Sequence, residues 1–500
     1  LPELTEFNFL QSLPAIIPEL GLTILAVIVL FLDVYLPESQ RRQIAYVTAV
    51  GMGLLALTPI IWGPPAAGPQ LMWGGMVRHD TLSQIFKVMV LLGGALSALM
   101  AIDMKTLGRR GEFYLIIVVC TLGASLISGA ADMIMVFLGV ETLSIPLYVL
   151  AAFKREDARS SESGMKYFLF GSFASALLLF GLSLLYGFTG QTNIYAIAEI
   201  LPNAIGSQPV PVLTAMVLIV VGFGFKISAV PFHFWTPDMY EGAPTPVTAY
   251  VSVASKAASF ALFIRFLIAV FPNTLVIGDV VIQDFWVQLA VVMSIVSMTL
   301  GNLLALSQRN IKRLLAYSSI AQAGYTLIGV AAIQSQTAQG VAAVSFYMFM
   351  YTFTNILAFA VVVLFSEATG SETIADLAGL NRRSPWLALA MTIALLSLAG
   401  IPPAAGFFGK FFLFNAAVEA GLAWLAIIGV LNSIVALYYY LIVIKVMYVD
   451  RSEDEDKPIP MSRAYLWVLG VPAVLVLVLG TVGAQAIFDW AIRGATSLFL

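Results

Sequence analysis

Of 500 residues, 60% are hydrophobic and only 11% are charged, where soluble globular chains carry about a quarter charged. With a mean hydropathy of +0.94 the chain reads as an all-α polytopic membrane protein. A net charge of −3 gives no electrostatic basis for nucleic-acid binding. The single cysteine, Cys120, excludes an intrachain disulfide and a cysteine-ligated iron–sulfur cluster built from this chain alone. Two histidines, His79 and His233, argue against a bis-histidine haem site.

A membrane-spanning helix needs about 20 apolar residues. Stretches of that kind fall at 13–36, 43–63, 82–102, 113–130, 132–152, 163–188 and 210–240. Others follow at 244–271, 284–305, 311–333, 340–366, 385–416, 421–448 and 465–490, which predicts fourteen spans. The boundary between the fourth and fifth falls at Gly129 to Asp132. Loop charge supports the count. Sixteen basic residues follow odd-numbered spans, among them Arg110, Arg155, Arg309 and Arg382, whereas Arg78 and Arg493 alone fall on the other side. By the positive-inside rule both termini face outward, and a miscount by one helix would destroy the parity.

The stretch from Gly222 to Phe260 places Lys226 and Lys256 in runs that are otherwise apolar. An ammonium at the centre of a span costs roughly 2.5–3.5 kcal/mol on insertion scales. Pro231, Pro237, Pro244 and Pro246 lie between the two lysines, so the seventh helix breaks just after Lys226. Pro402, Pro403, Gly406 and Gly409 interrupt the twelfth span beside Lys410 in the same way. Two broken, lysine-bearing helices of opposite direction, five spans apart, predict an inverted repeat of five helices, 4–8 against 9–13. No residue-by-residue identity between the halves accompanies that spacing.

Glu141, about ten residues into the fifth span, is the acidic counterpart, and Lys226 is its candidate partner; a static ion pair locking two helices is the alternative. Lys166 stands at the inner mouth of the sixth span, where snorkelling explains it as well as a functional role does. Lys87, Arg265 and Lys445 lie near helix ends and are expected to snorkel, and Glu19 to be interfacial. The basic cluster at Arg309, Lys312 and Arg313 reads as topogenic. Beyond it Ser318, Ser319, Gln322 and Tyr325 either line a polar path or serve helix packing. His233 either relays protons or caps the broken backbone.

Three motifs occur in order: HFWTPDMYEGAPTPVTAYVSVASKAA, IKRLLAYSSIAQAGY and AGIPPAAGFFGKFFLF. Together they resemble the antiporter-like membrane subunits of proton-pumping NADH:quinone oxidoreductase (complex I), over about residues 113 to 416. The WTPDMYEGAPTPVTA wording is similar to the N-type subunit. The resemblance implies proton transfer through Glu141, Lys166, Lys226, Lys256 and Lys410, with His233, Ser318, Gln322 and Tyr325 secondary. Gln322 stands where many relatives carry a histidine, a departure that bears on any imidazole relay there. Also implied are no cofactor and no metal in this chain, with quinone, FMN and iron–sulfur clusters in partner subunits. Its neighbours would be the M-type and K-type membrane-arm subunits and lipid. The expected organisation is a three-helix segment over 1–112, repeats over 113–271 and 284–448, and an inner loop with helix 14 over 449–500. An Mrp-type cation/proton antiporter subunit is the alternative function.

Overall fold

A computed structural model describes residues 9–64, 68–335, 337–454 and 457–499. Twelve helices among them are long and apolar enough to cross a membrane: Phe9–Tyr35, Arg42–Ile61, Thr81–Met100, Gly111–Ser128, Met133–Ala151, Ala158–Thr189, Val210–Ile227, Thr245–Val270, Ile282–Ala305, Ile311–Ala331, Gln339–Thr369 and Ala423–Tyr448. The expected twelfth span arrives as two pieces, Pro385–Ala399 and Gly406–Glu419, each too short to cross alone. The expected fourteenth is a pair, Arg463–Leu479 and Ala484–Phe499, bent by 86°. Spans keep their expected ordinal numbers below.

Local chemistry accounts for the boundaries. Asp132 ends the fourth–fifth connection by accepting from the Ile134 amide at 2.8 Å, a side-chain cap for an otherwise orphaned donor. The seventh span stops at Ile227, where Ser228 takes a left-handed conformation (φ 62°), and resumes as a short helix, Trp235–Gly242. A helix the hydropathy did not predict, the amphipathic Ile194–Ile205, connects the sixth and seventh spans and packs against the sixth and eighth. Its apolar face is too short to register as a span.

The repeat is visible in hydrogen bonds. A backbone bridge ties Asp132, before the fifth span, to Asn193, after the sixth; a second ties Asn310, before the tenth, to Thr373, after the eleventh. Each preceding helix ends on a left-handed glycine, Gly190 (φ 65°) or Gly370 (φ 73°), the conformation glycine adopts without steric cost. The threonine before each donates to the carbonyl four residues back at 2.8 Å. Residue identity between the halves therefore exists, as Thr-Gly-x-x-x-Ile at Thr189–Ile194 and Thr369–Ile374. Three identical residues within six, at one helix end, carry it, too few to stand out along the sequence.

The eleventh span forms the axis: its whole apolar window is buried, and the windows of the eighth and tenth are 94% buried. The first, sixth and thirteenth spans lie outside, with apolar side chains turned outward. Placed in a membrane this arrangement makes a testable topology. Single cysteines at the exposed positions Arg110, Arg155, Arg309 and Arg382 are expected to label from one side, and one at exposed Asp279 from the other. Mixed labelling among the first four would overturn the order of spans. Arg78, the obvious probe from sequence, is buried and unsuitable.

Candidate functional site

Lys226, Lys256 and Lys410 are all buried, and each lies beside an irregularity in a helix, a break or a π-helical turn. Lys226 sits in the last turn of the first half of the seventh span. That is the end where the helix dipole favours a cation. Its Nζ donates to Ser144 Oγ on the fifth span and lies 5.8 Å from the centre of the Tyr148 ring. Lys410 follows its break, but its side chain runs back across Gly400 to donate to the Ala399 carbonyl at 3.1 Å, the end of the first half of the twelfth span. Ser433 Oγ accepts a second bond at 3.2 Å, and the Tyr325 ring lies 4.4 Å away. The two lysines thus occupy different positions relative to their breaks: Lys226 belongs to the last turn of its first half-helix, and Lys410 reaches back to the last turn of its own.

Lys256 lies on an intact span, immediately after five residues of π-helix, Val251–Ser255. Such a turn widens the helix and frees backbone carbonyls, and it is frequent at functional positions. Its Nζ donates to Ser319 Oγ at 2.6 Å and to the Ser319 carbonyl at 3.0 Å. Ser319 Oγ in turn is hydrogen-bonded to Tyr240 OH at 3.1 Å. Toward Lys410 the tenth span continues the polar line. Ser318 meets Tyr440 OH, and Gln322 bonds Tyr347 OH, Tyr440 OH (3.3 Å) and the Leu398 carbonyl (3.0 Å). Tyr325 OH accepts from Asn302 at 3.2 Å.

Glu141 and Lys226 do not form the contact expected of them. Glu141 is half-buried on the outward stripe of the fifth span, with Ile134, Leu138, Ile145 and Val149, all at least half exposed. One of its oxygens is buried with no hydrogen-bond partner. Ser144, one turn along, is the residue that reaches Lys226. The reason is rotational: at 3.6 residues per turn, residues three apart are offset by roughly 60° around the helix axis. Glu141 therefore sits at the edge of the outward stripe, half-buried, and Ser144 faces the core. His233 is buried with Nδ1 unpartnered and makes no bond to any of these lysines.

Lys166 is held at the surface mouth by Glu162 (2.7 Å) and Asp238 (2.6 Å). Arg313 reaches Asp238 (2.8 Å) and Glu241 (2.9 Å) from the tenth span. Glu162, Asp238, Glu241 and Arg313, together with Arg159, line a cavity of about 260 Å³. Lys312, which composition alone marked as topogenic, is buried. It donates to the Glu241 and Ala243 carbonyls at 2.8 Å each and pairs with Glu372 at 3.1 Å, closing the C-terminal end of Trp235–Gly242. Tyr240, Tyr347, Tyr440 and Asn302 also escaped the sequence reading. A buried tyrosine in an apolar run carries no local mark of a polar partner.

Two five-span repeats, each with a helix interrupted inside the membrane and a lysine charge at the interruption, define an ion-translocating membrane subunit. The family model described as NADH:quinone oxidoreductase/Mrp antiporter, transmembrane, matches residues 130–436. The chain belongs to this family. It is 44% identical over 450 residues to NADH-quinone oxidoreductase subunit N of Trichlorobacter lovleyi, covering 89% of each chain. It is 42% identical to NAD(P)H-quinone oxidoreductase subunit 2 of Trichormus variabilis, covering 91% of this chain and 85% of that one. Among solved structures, a chain of respiratory complex I from Thermus thermophilus superposes with TM-score 0.78 at 31% identity, covering 96% of this chain and all of that one. A chain of the Mrp complex from Dietzia shares the fold (TM-score 0.82) at 22% identity, with 98% of each chain covered.

Proposed function

We propose that this chain is the N-type proton-translocating membrane subunit of an NADH:quinone oxidoreductase. In that reading it works beside M-type and K-type membrane neighbours in a bacterial cell membrane, with both termini outward. Quinone, FMN and iron–sulfur chemistry belong to partner subunits, and this chain supplies proton transfer alone. Residues 113–271 and 284–448 act as the two repeats, flanked by the segments 1–112 and 449–500. The observation that carries the proposal is the coincidence of three buried lysines with two helix breaks and one π-helical turn. At such points freed carbonyls and hydroxyls hold a charge, and water has room to enter.

The mechanism follows from desolvation. Lys226, kept charged by Ser144, the helix end and the nearby carboxylate of Glu141, loses part of that support when charge moves at the Glu141 surface. A buried ammonium deprived of a counter-charge favours its neutral form. The released proton passes toward Lys256, then along Ser319, Ser318, Tyr440 and Gln322 to Lys410. Gln322 orients this line through its amide and carries no proton of its own, so its tyrosine and water neighbours do. Lys166 with Asp238, Glu241 and Arg313 forms the charged mouth from which protons are drawn.

Purification of the complex from membranes is expected to recover this chain with an NADH-oxidising, quinone-reducing assembly that acidifies one side of a vesicle. Recovery solely with cation/proton antiporter subunits, without NADH oxidation, would replace this reading by the Mrp-type one.

A further inference from the structure

The first and third spans carry a second set of buried charges that the lysine axis does not use. Lys87 Nζ pairs with Glu19 Oε1 at 2.8 Å and donates to the Ala15 carbonyl at 2.8 Å. Ser125 Oγ of the fourth span donates to the same Glu19 oxygen at 2.5 Å. Both charged side chains are buried, where snorkelling and an interfacial position were expected. Arg265 is likewise buried, gripping Asp80 at 2.6 and 2.9 Å. Burial would push the Asp80 carboxyl up, but Arg265 and then Arg78 hold it below the usual carboxylate range. Both Asp80 oxygens are occupied, so that cluster is a fastener between the third and eighth spans.

The Glu19 site is not closed in the same way. Its Oε2 is buried without a partner, and so is Nδ1 of His79, in the loop that leads into the third span. Burial, and then the charge of Lys87, lower His79 to about 4, so its imidazole stands neutral with a vacant lone pair. From Ser125 the hydroxyl face of the fourth span continues inward. Thr121, one turn away, meets Tyr250 OH of the eighth span at 3.2 Å, six residues before Lys256. Gly94 permits that approach: a Cβ there would fall 2.8 Å from Thr121 Oγ1. In the neighbouring second and third spans the hydroxyls of Thr48 and Ser97 are fully buried and unpartnered. Buried polar atoms without protein partners are where structural water resides.

We propose that Glu19 and Lys87, fed from the eighth span through Thr121 and Ser125, form a second proton path that discharges beside His79 on the face opposite the basic loops. The inference rests on the proton-translocating reading above. A proton arriving on Glu19 neutralises its carboxylate and leaves the Lys87 ammonium uncompensated. That charge drives the proton onward, through His79 Nδ1 or water, and the pair is restored. Only O–H and N–H bonds form and break.

The experiment measures protons moved per electron pair in vesicles, normalised to assembled complex. Glu19→Gln with Lys87→Met removes both charges together, and Thr121→Val removes the hydroxyl at constant shape. Both are expected to lower the ratio below that of the parent complex. A purely structural ion pair replaced on both sides is tolerated, so an unchanged ratio in the double variant and in Thr121→Val overturns the second path. Should the double variant fail to assemble, Thr121→Val decides alone. Lys256→Met in the same assay separates the two levels. Normal pumping there would overturn the translocating reading itself. Lost pumping there, beside a parent-like ratio in the other variants, overturns the second path and nothing else.

Discussion

Glu141→Gln is expected to slow coupled proton translocation by roughly tenfold while leaving assembly at parent level. Glutamine keeps the size of the side chain and removes its charge. Residues three apart on a helix stand about 5–6 Å from one another at Cβ, which places the carboxylate within electrostatic reach of Lys226 but outside contact. Two unit charges about 7 Å apart at an effective dielectric constant near 20 interact by about 2 kcal/mol, enough for a tenfold change in an equilibrium. A directly broken buried pair would instead cost about 3–5 kcal/mol and endanger folding. Because Lys226 keeps its bond to Ser144 in the variant, Glu141→Ala is also expected to assemble. The measurement is quinone-dependent proton uptake in vesicles at matched complex content. Full pumping by an assembled Glu141→Gln complex would reduce Glu141 to a static surface residue.

Lys410→Arg and Lys410→Ala are both expected to abolish most turnover, and arginine is expected to rescue little. Lys410 is the last lysine on the polar line, and its ammonium rests on the Ala399 carbonyl, Ser433 and the Tyr325 face. Arginine restores the charge at that helix end but stays protonated at any pH a cell reaches, so it cannot hand a proton on. Alanine leaves the half-helix end without its cation. Were the ammonium only a fastener for the broken span, arginine would recover activity and alanine would chiefly lower the amount of assembled complex. Near-normal proton stoichiometry in Lys410→Arg would remove this residue from the path and make Lys256 the terminal site.

What the sequence determined by itself was everything that depends on neighbours along the chain. Hydropathy located the spans, and prolines located the breaks after Lys226 and before Lys410. These are local properties: a proline removes its own donor wherever the helix is packed. Tertiary structure alone decided who meets whom. Lys226 found Ser144 instead of Glu141 because a few tens of degrees of helix rotation separate them. Lys87 and Arg265 turned inward to Glu19 and Asp80, the latter 185 residues distant in sequence, although their places near helix ends suited snorkelling equally well. Lys312 closed a half-helix instead of facing water, and Lys410 reached back over its own break. A charged side chain near a helix end has two ways to satisfy its hydration, water or a partner. The choice is set by which helix packs against it, information that no stretch of the chain contains on its own.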